Sequence, residues 1–334
     1  MFKFYSLAQT MLRALFTLLL VLIAAFILTR VAYQDPAVML APRNATPQAI
    51  EAIARALHLD DPWYQQLRYF LWRGPEIQGT AVGLMHWPPA LGYSFRFQTP
   101  VTQLVLDKVA VTLSLALGSL LIWMIISLIT GVLAARYRDR FVDRALALCS
   151  YVALSLPTFL SGMLIIFFLF YQLSLHGIEW FPAGGYVALS ENPWQWLRHL
   201  LLPWLTLALA EVGIFQRVIR ASMLEVLNHD YIRTARAKGV REWRVYFDHA
   251  LKPAMSPVLV LTGMELAAVM GGAIVTEKMF GLDGVGRLAI DAALDGDFPV
   301  VIGTTLFAAC AFIFCNTLVD ILQKTLFAAG DKGR

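Results

Sequence analysis

The chain is 334 residues long, 58% hydrophobic and 15% charged, with a mean hydropathy of +0.63. A soluble domain carries about 25% charged and about 45–50% apolar residues, so this composition excludes an ordinary soluble globular enzyme. The formal net charge of +4 does not indicate a nucleic-acid surface, because the bases stand at the ends of apolar runs and form no polar patch.

A bilayer-spanning helix needs roughly 20 mostly apolar residues. Six stretches meet that length, near 11–32, 103–135, 145–174, 199–219, 254–276 and 299–324. The first exceeds the roughly 7–15 residues of a secretory core and has no clear small-x-small cleavage site after it, so it reads as an uncleaved span. The expected fold is an all-α polytopic membrane protein.

The segment from Tyr33 to Pro100 follows, with acids and bases in rough balance. Thr46 is placed to cap a helix with Pro47 at its first position, and Ile50, Ile53, Ala54 and Leu57 recur at helical spacing. A second short helix is expected from Asp61-Pro62, presenting Trp63, Leu67, Phe70 and Leu71, and Gly74 to Gly92 reads as an irregular loop. Two roles fit these helices: a lid over the mouth of the membrane domain, or a packed linker subdomain.

Orientation follows from the bases, which collect in short cytoplasmic loops. Arg136, Arg138, Arg140 and Arg144 lie between spans two and three. Arg217, Arg220, Arg233, Arg236, Lys238, Arg241, Arg244 and Lys252 lie between spans four and five. The segment between spans five and six instead carries Glu277, Asp283, Asp291, Asp295 and Asp297 against Lys278 and Arg287. The first two loops are therefore expected inside, the acidic segment and residues 33–100 outside, and both termini cytoplasmic.

Within span four Glu211, and within span five Glu265, are acids at a depth where each costs at least about 2.5–3.5 kcal/mol unless paired or wetted. They either line the pathway and favour a solute with a positive group, or form a structural pair with a base or polar group. Met270, Gly271 and Gly272 read as a packing point between helices or a place for gate movement. His58, His86, His176, His199, His229 and His249 show no metal-ligand spacing, and Cys149, Cys310 and Cys315 sit singly in apolar runs, so no metal site is expected. No Ser/His/Asp or Cys/His set shares one expected membrane face, and a non-catalytic role follows.

From Glu225 to Gly239 the helix of span four is expected to continue beyond the membrane, with Gly239 ending it where a left-handed residue is least costly. A second stretch from Arg241 to Leu251 precedes Pro253. Asp230, Tyr231, Arg233, Thr234, Ala235, Arg236, Ala237, Lys238 and Gly239 then form a docking element. In it Arg233, Arg236 and Lys238 present cations, while Tyr231, Ala235 and Ala237 offer a small apolar surface for a groove on another protein.

With these residues in view, the chain resembles the membrane subunits of ATP-binding-cassette importers, in particular the dipeptide/oligopeptide/nickel permease family. Three stretches carry the likeness: Arg220 to Leu227, Asp230 to Gly239, and His249-Ala250-Leu251. The general importer signature is Glu-Ala-Ala, three residues, then Gly; here Arg233, Thr234 and Ala235 take the first three places and Gly239 the last. Further likeness lies in Gly271 to Glu277 with Phe280 and Gly284-Val285-Gly286, in Asp35-Pro36-Ala37, and in the Thr46-Pro47 helix leading to Leu59-Asp60-Asp61-Pro62. The departures are Gln34 for a usual Gly, Asp283 for a usual Pro, an expanded 74–92 loop, and no Asp-Pro-Arg before Ala329-Gly330-Asp331.

The resemblance implies a type I importer transmembrane domain, with 1–32 as the first span, 33–100 as an extracytoplasmic helical subdomain, 101–328 as the permease domain and 220–252 as its coupling loop. It implies residence in the bacterial cytoplasmic (inner) membrane, in contact with lipid. The implied partners are a second homologous permease, two ATP-binding-cassette ATPases and an extracytoplasmic substrate-binding protein, with no nucleic acid. No cofactor is expected on this chain; ATP and Mg would sit on the ATPases, in keeping with the lack of a Gly-x-x-x-x-Gly-Lys-Ser/Thr loop. The implied cargo is a dipeptide or oligopeptide. Nickel or another small solute is the alternative within importers, and an ion-coupled secondary transporter the alternative outside them, although no internal repeat is evident.

Overall fold

The structure, a computed structural model, describes residues 2–32, 37–38, 41–42, 44–56, 58–74, 76, 79–87 and 89–327. Gln34, Asp35-Pro36, Leu57 and Ala329-Gly330-Asp331 lie outside the described residues. Contacts divide the chain into two compact units, Met1–Thr112 with Asp283–Ile313, and Leu113–Leu282 with Phe314–Arg334. Among the described residues six helices are long and apolar enough to cross a membrane: Leu12–Thr29, Val101–Arg136, Thr158–Leu175, Pro193–Leu227, Glu242–Met270 and Phe298–Gln323.

In the first unit, α1 is Phe2–Ala32, α2 is Pro47–Ala56 and α3 is Trp63–Leu71. Helix α2 begins as expected, with the Ala49 amide donating to Thr46 Oγ1 at 3.3 Å and Pro47 in the first position. The stretch read as an irregular loop contains a two-stranded antiparallel ribbon, β1 (Val82–Gly83) with β2 (Ala90–Leu91), pairing Val82 with Leu91 and Gly83 with Ala90. Its Gly and Pro content hid strands too short to show a period.

Helix α4, Val101–Arg136, opens in this unit and continues into the second. Val101 and Val105 of its first turns are buried together with Leu288, Ala292 and Val300. Between β2 and α4, the Asp297 carboxylate, 1% exposed, accepts from Ser94 Oγ at 2.5 Å and from the amides of Phe95 and Arg96 at 3.3 and 3.2 Å. Three donors satisfy a buried charge that would otherwise be costly. Arg96 pairs with Asp295, and Lys108 with Asp283. Of the acids read as a topology signal, Asp283, Asp295 and Asp297 are thus engaged by residues far away in the sequence, and Asp291 pairs with Arg287.

The second unit holds α5 (Phe141–Ser155), α6 (Thr158–Leu175) and α7 (Pro193–Leu227). The sequence suggested one span over 145–174; the structure breaks it at Leu156 (φ −87°, ψ 120°), because Pro157 pushes the residue before it out of the helical region. Helix α6 loosens into a wider turn over Ile166–Tyr171. Helix α7 is capped by Asn192, whose side chain accepts from the amides of Trp194 and Gln195 at 3.1 Å.

Small residues let these helices approach closely, as expected where lipid removes the hydrophobic drive between them. Gly213 leaves no room for a β-carbon against the Ser150 carbonyl and Leu154, and Gly118 lies against Trp204, whose indole donates to the Ser114 carbonyl at 3.0 Å. Ser150 Oγ also donates to Gln216 Oε1 at 2.7 Å, joining α5 to α7.

Candidate coupling element and membrane acids

Helix α7 is roughly 50 Å long against a hydrocarbon core of about 30 Å, so one end must leave the bilayer. Its Arg217 and Arg220 lie toward that end. Contrary to the expected continuous helix, the chain breaks after Leu227. Asn228 Nδ2 donates to the Leu224 carbonyl at 3.0 Å, and His229 Nδ1 lies 3.1 Å from the Glu225 carbonyl. Side chains that satisfy the last carbonyls compete with helix continuation. His229 turns extended (φ −71°, ψ 150°), and a separate helix, α8, runs Asp230–Ala237 with Asp230 in its first turn, where a negative charge complements the helix dipole.

Ile232 and Ala235 are buried beneath α8, which corrects the expectation that Ala235 belongs to the docking surface. Tyr231, Arg233, Thr234, Ala237 and Lys238 are exposed. Arg236 is not a free cation: its Nε and Nη2 donate to Glu242 Oε1 and Oε2 at 2.9 and 3.3 Å. Gly239 adopts φ +76° with its amide bonded to the Arg236 carbonyl at 2.9 Å, and the Val240 amide closes on the Ala235 carbonyl at 3.2 Å. This is the left-handed helix end that the sequence indicated.

Helix α9 follows as Glu242–Met270, including a widened turn at Val245–Ala250 ahead of Pro253, whose missing amide removes a helical hydrogen bond. The stretch Arg241–Leu251, expected to precede the span opened by Pro253, is continuous with that span from Glu242 onward. Near its start Trp243 and Phe247 are half-exposed beside α8, a pair the sequence reading passed over although they stand four residues apart.

A second feature lay hidden in the sequence. Asp143, 4% exposed at the start of α5, receives Arg220 Nε and Nη2 of α7 at 2.6 and 2.7 Å, and the Asp139 amide at 2.9 Å. The Arg220 bonds are the main reason the Asp143 carboxyl is held below its ordinary pKa, against the opposing cost of burial. The pair ties α5 to α7 about two turns before α7 ends at Leu227. Its signal was one acid among arginines counted only as topology markers.

Glu211 of α7 and Glu265 of α9 are each partly buried, on two helices that pack against one another. Glu211 Oε2 is buried without a hydrogen-bond partner, and neither acid forms an ion pair among the described residues. Helix α9 ends at Met270, and Gly271-Gly272 form the turn after it, with Gly272 at φ +125°. The pair therefore terminates a helix and is not a packing point inside one; the expected span to 276 is cut short because Gly272 takes a conformation that other residues avoid. Met270 Sδ lies 3.8 Å from Cys315 Sγ. Among the described residues no group of three or more His, Cys, Asp or Glu is arranged to hold a metal.

The family model for binding-protein-dependent transport system inner membrane components matches residues 127–329, and the model for the N-terminal part of such components matches 1–116. A Brucella abortus (strain 2308) protein named as a peptide transport system permease is 38% identical over 310 residues, 93% of each chain. The oligopeptide transport system permease protein AppB of Bacillus subtilis (strain 168) is 34% identical over 308 residues, 91% of this chain and 92% of AppB.

Proposed function

Because the chain belongs to the family of binding-protein-dependent transport system inner membrane components, we propose that it is the permease subunit of an ATP-driven importer of dipeptides or oligopeptides. The observation that carries this reading is α8, a short helix buried on one side and presenting Tyr231, Arg233, Thr234, Ala237 and Lys238 on the other. Such a face suits a groove on an ATPase that binds ATP and Mg; movement of the groove would drive α8 and, through Arg220 and Asp143, α5 and α7 together. The peptide cargo rests on the names of the relatives, which favour it over nickel.

In this reading a second, homologous permease completes the pathway and an extracytoplasmic binding protein delivers cargo. The base-rich loops around α8 lie in the cytoplasm with both termini, and residues 33–100 lie outside. Glu211 and Glu265 line the pathway, with the Gly271-Gly272 turn available as a hinge beside Met270. Two partly buried acids on packed helices, with Glu211 Oε2 left without a partner, suit a solute with a positive group, such as a peptide amine. Purification from the native membrane through a tag on this chain, with mass spectrometry of co-purifying subunits, tests the assembly. Recovery of two ATPases and a related permease supports it; recovery of this chain alone rejects it.

A further inference from the structure

We infer that α3, Trp63–Leu71, is a membrane-interface helix whose exposed face lies among lipid headgroups and holds the 33–100 segment down on the bilayer. The first observation is depth. Phe70 of α3 is buried in one cluster with Leu22, Ala25 and Phe26 of α1 and with Ile302, and Leu67 and Leu71 pack against that cluster. Leu22 and Phe26 belong to the apolar window Leu12–Thr29, and Ile302 to the window Phe298–Gln323. At 1.5 Å per residue, Leu22 stands roughly 10 Å inside the end of the first window, Phe26 roughly 5 Å, and Ile302 about 6 Å inside the second. Two spans therefore set α3 at one level, beside the last turns of the apolar segments and not above them.

Neighbouring side chains of α1 show what surrounds that level. Leu19, Leu20, Ile27 and Leu28 are 42–66% exposed, so α1 is packed on one side and presents uncovered apolar side chains on the rest, as a helix facing acyl chains does.

The second observation is the chemistry of the open face. Trp63, Tyr64 and Trp72 are 59%, 57% and 61% exposed. Tyr64, Arg68 and Trp72 recur every four residues and form one stripe, flanked by half-buried Leu67 and Leu71. The Arg68 side chain forms no hydrogen bond or ion pair among the described residues. Indole and phenol rings with one polar edge, and a guanidinium on an apolar stem, are the groups that reside at the boundary between acyl chains and phosphate. An amphipathic helix of this kind sinks its apolar face about 5–10 Å into that boundary, the depth given independently by Leu22, Phe26 and Ile302. The inference does not depend on which side of the membrane the segment occupies.

The test uses the full chain in nanodiscs of phosphatidylethanolamine and phosphatidylglycerol, with Cys149, Cys310 and Cys315 replaced by alanine and a nitroxide placed at 64, 72 or, as control, exposed Glu51 of α2. The expected ratio of oxygen to aqueous nickel-chelate accessibility is roughly twofold or more higher at 64 and 72 than at 51. Equal, water-like ratios at all three positions overturn the inference. So do water-like ratios at 64 and 72 with accessibility to both reagents dropping once the binding protein is added, which would assign the face to that protein. Should labelled chains fold poorly, Trp63→Phe and Trp72→Phe provide a second readout in brominated phospholipid. Removing lipid-contacting indoles lowers the quenched fraction of tryptophan emission, whereas removing water-exposed ones raises it and overturns the inference.

Discussion

Arg220 illustrates how one side chain can serve two readings. As a base near a span end it marks topology; in the structure it is half of a charge pair whose acid is almost fully enclosed. Asp143→Asn should lower stability in detergent by about 2 kcal/mol, less than the roughly 3–5 kcal/mol of a fully buried pair because the Arg220 side chain remains 29% exposed. The Asp143 pKa is depressed on folding, so its contribution is fully present above the ordinary carboxylate value of 3.8 and lost as pH falls through the folded value. Thermal unfolding of wild type and Asp143→Asn should therefore differ by a constant amount from pH 5 to 8 and converge only in stronger acid. Glu265 makes a different prediction. Glu265→Gln should reduce uptake of cationic peptides several-fold more than uptake of neutral ones, since it removes a charge and keeps the shape. Equal loss for both classes, in competition assays with labelled peptides, would falsify the selectivity role.

At the scale of the element, the break between α7 and α8 matters most. A single continuous helix would move the docking residues rigidly with the span, whereas the extended His229 lets α8 lie at its own angle and present its own face. Its other end depends on Gly239. A β-carbon there meets nothing within 4 Å, so Gly239→Ala costs only the backbone strain of φ +76°, about 1 kcal/mol. Expression and global unfolding should be nearly unchanged, while binding-protein-stimulated ATP hydrolysis by the assembled transporter falls. Gly239→Asn should recover much of the loss, because Asn tolerates the left-handed region. No recovery would point to steric exclusion at the partner surface and away from the geometry of the turn.

For the whole molecule, the proposed role as a permease subunit predicts that energy for uptake arrives from ATPases outside the chain. Uptake by cells carrying the intact transporter should stop when ATP is depleted and persist when the ion gradient alone is collapsed. The reverse pattern would assign Glu211 and Glu265 to ion coupling and the chain to secondary transport. An anchored α3 would also limit the 33–100 segment as a freely swinging lid, because lifting it would expose Trp63, Tyr64 and Trp72 to water.

Membrane residence, helical class, the cap at Thr46 and the left-handed end at Gly239 were all legible in the sequence. Each depends on composition or on a few adjacent residues: apolar length selects a span, Thr-Pro starts a helix, and a glycine ends one. The stretch from Asp230 to Gly239 was legible as a helical segment ending at Gly239 but not as a surface. Which residues face outward depends on what packs beneath, and only the fold buries Ala235 and ties Arg236 to Glu242. The same holds for Asp143 with Arg220, 77 residues apart, for Asp297 with the Ser94 turn, and for the depth of α3 beside α1. These are encounters between distant parts of the chain, set by helix packing, and local sequence carries no record of which partner a charge or ring will meet.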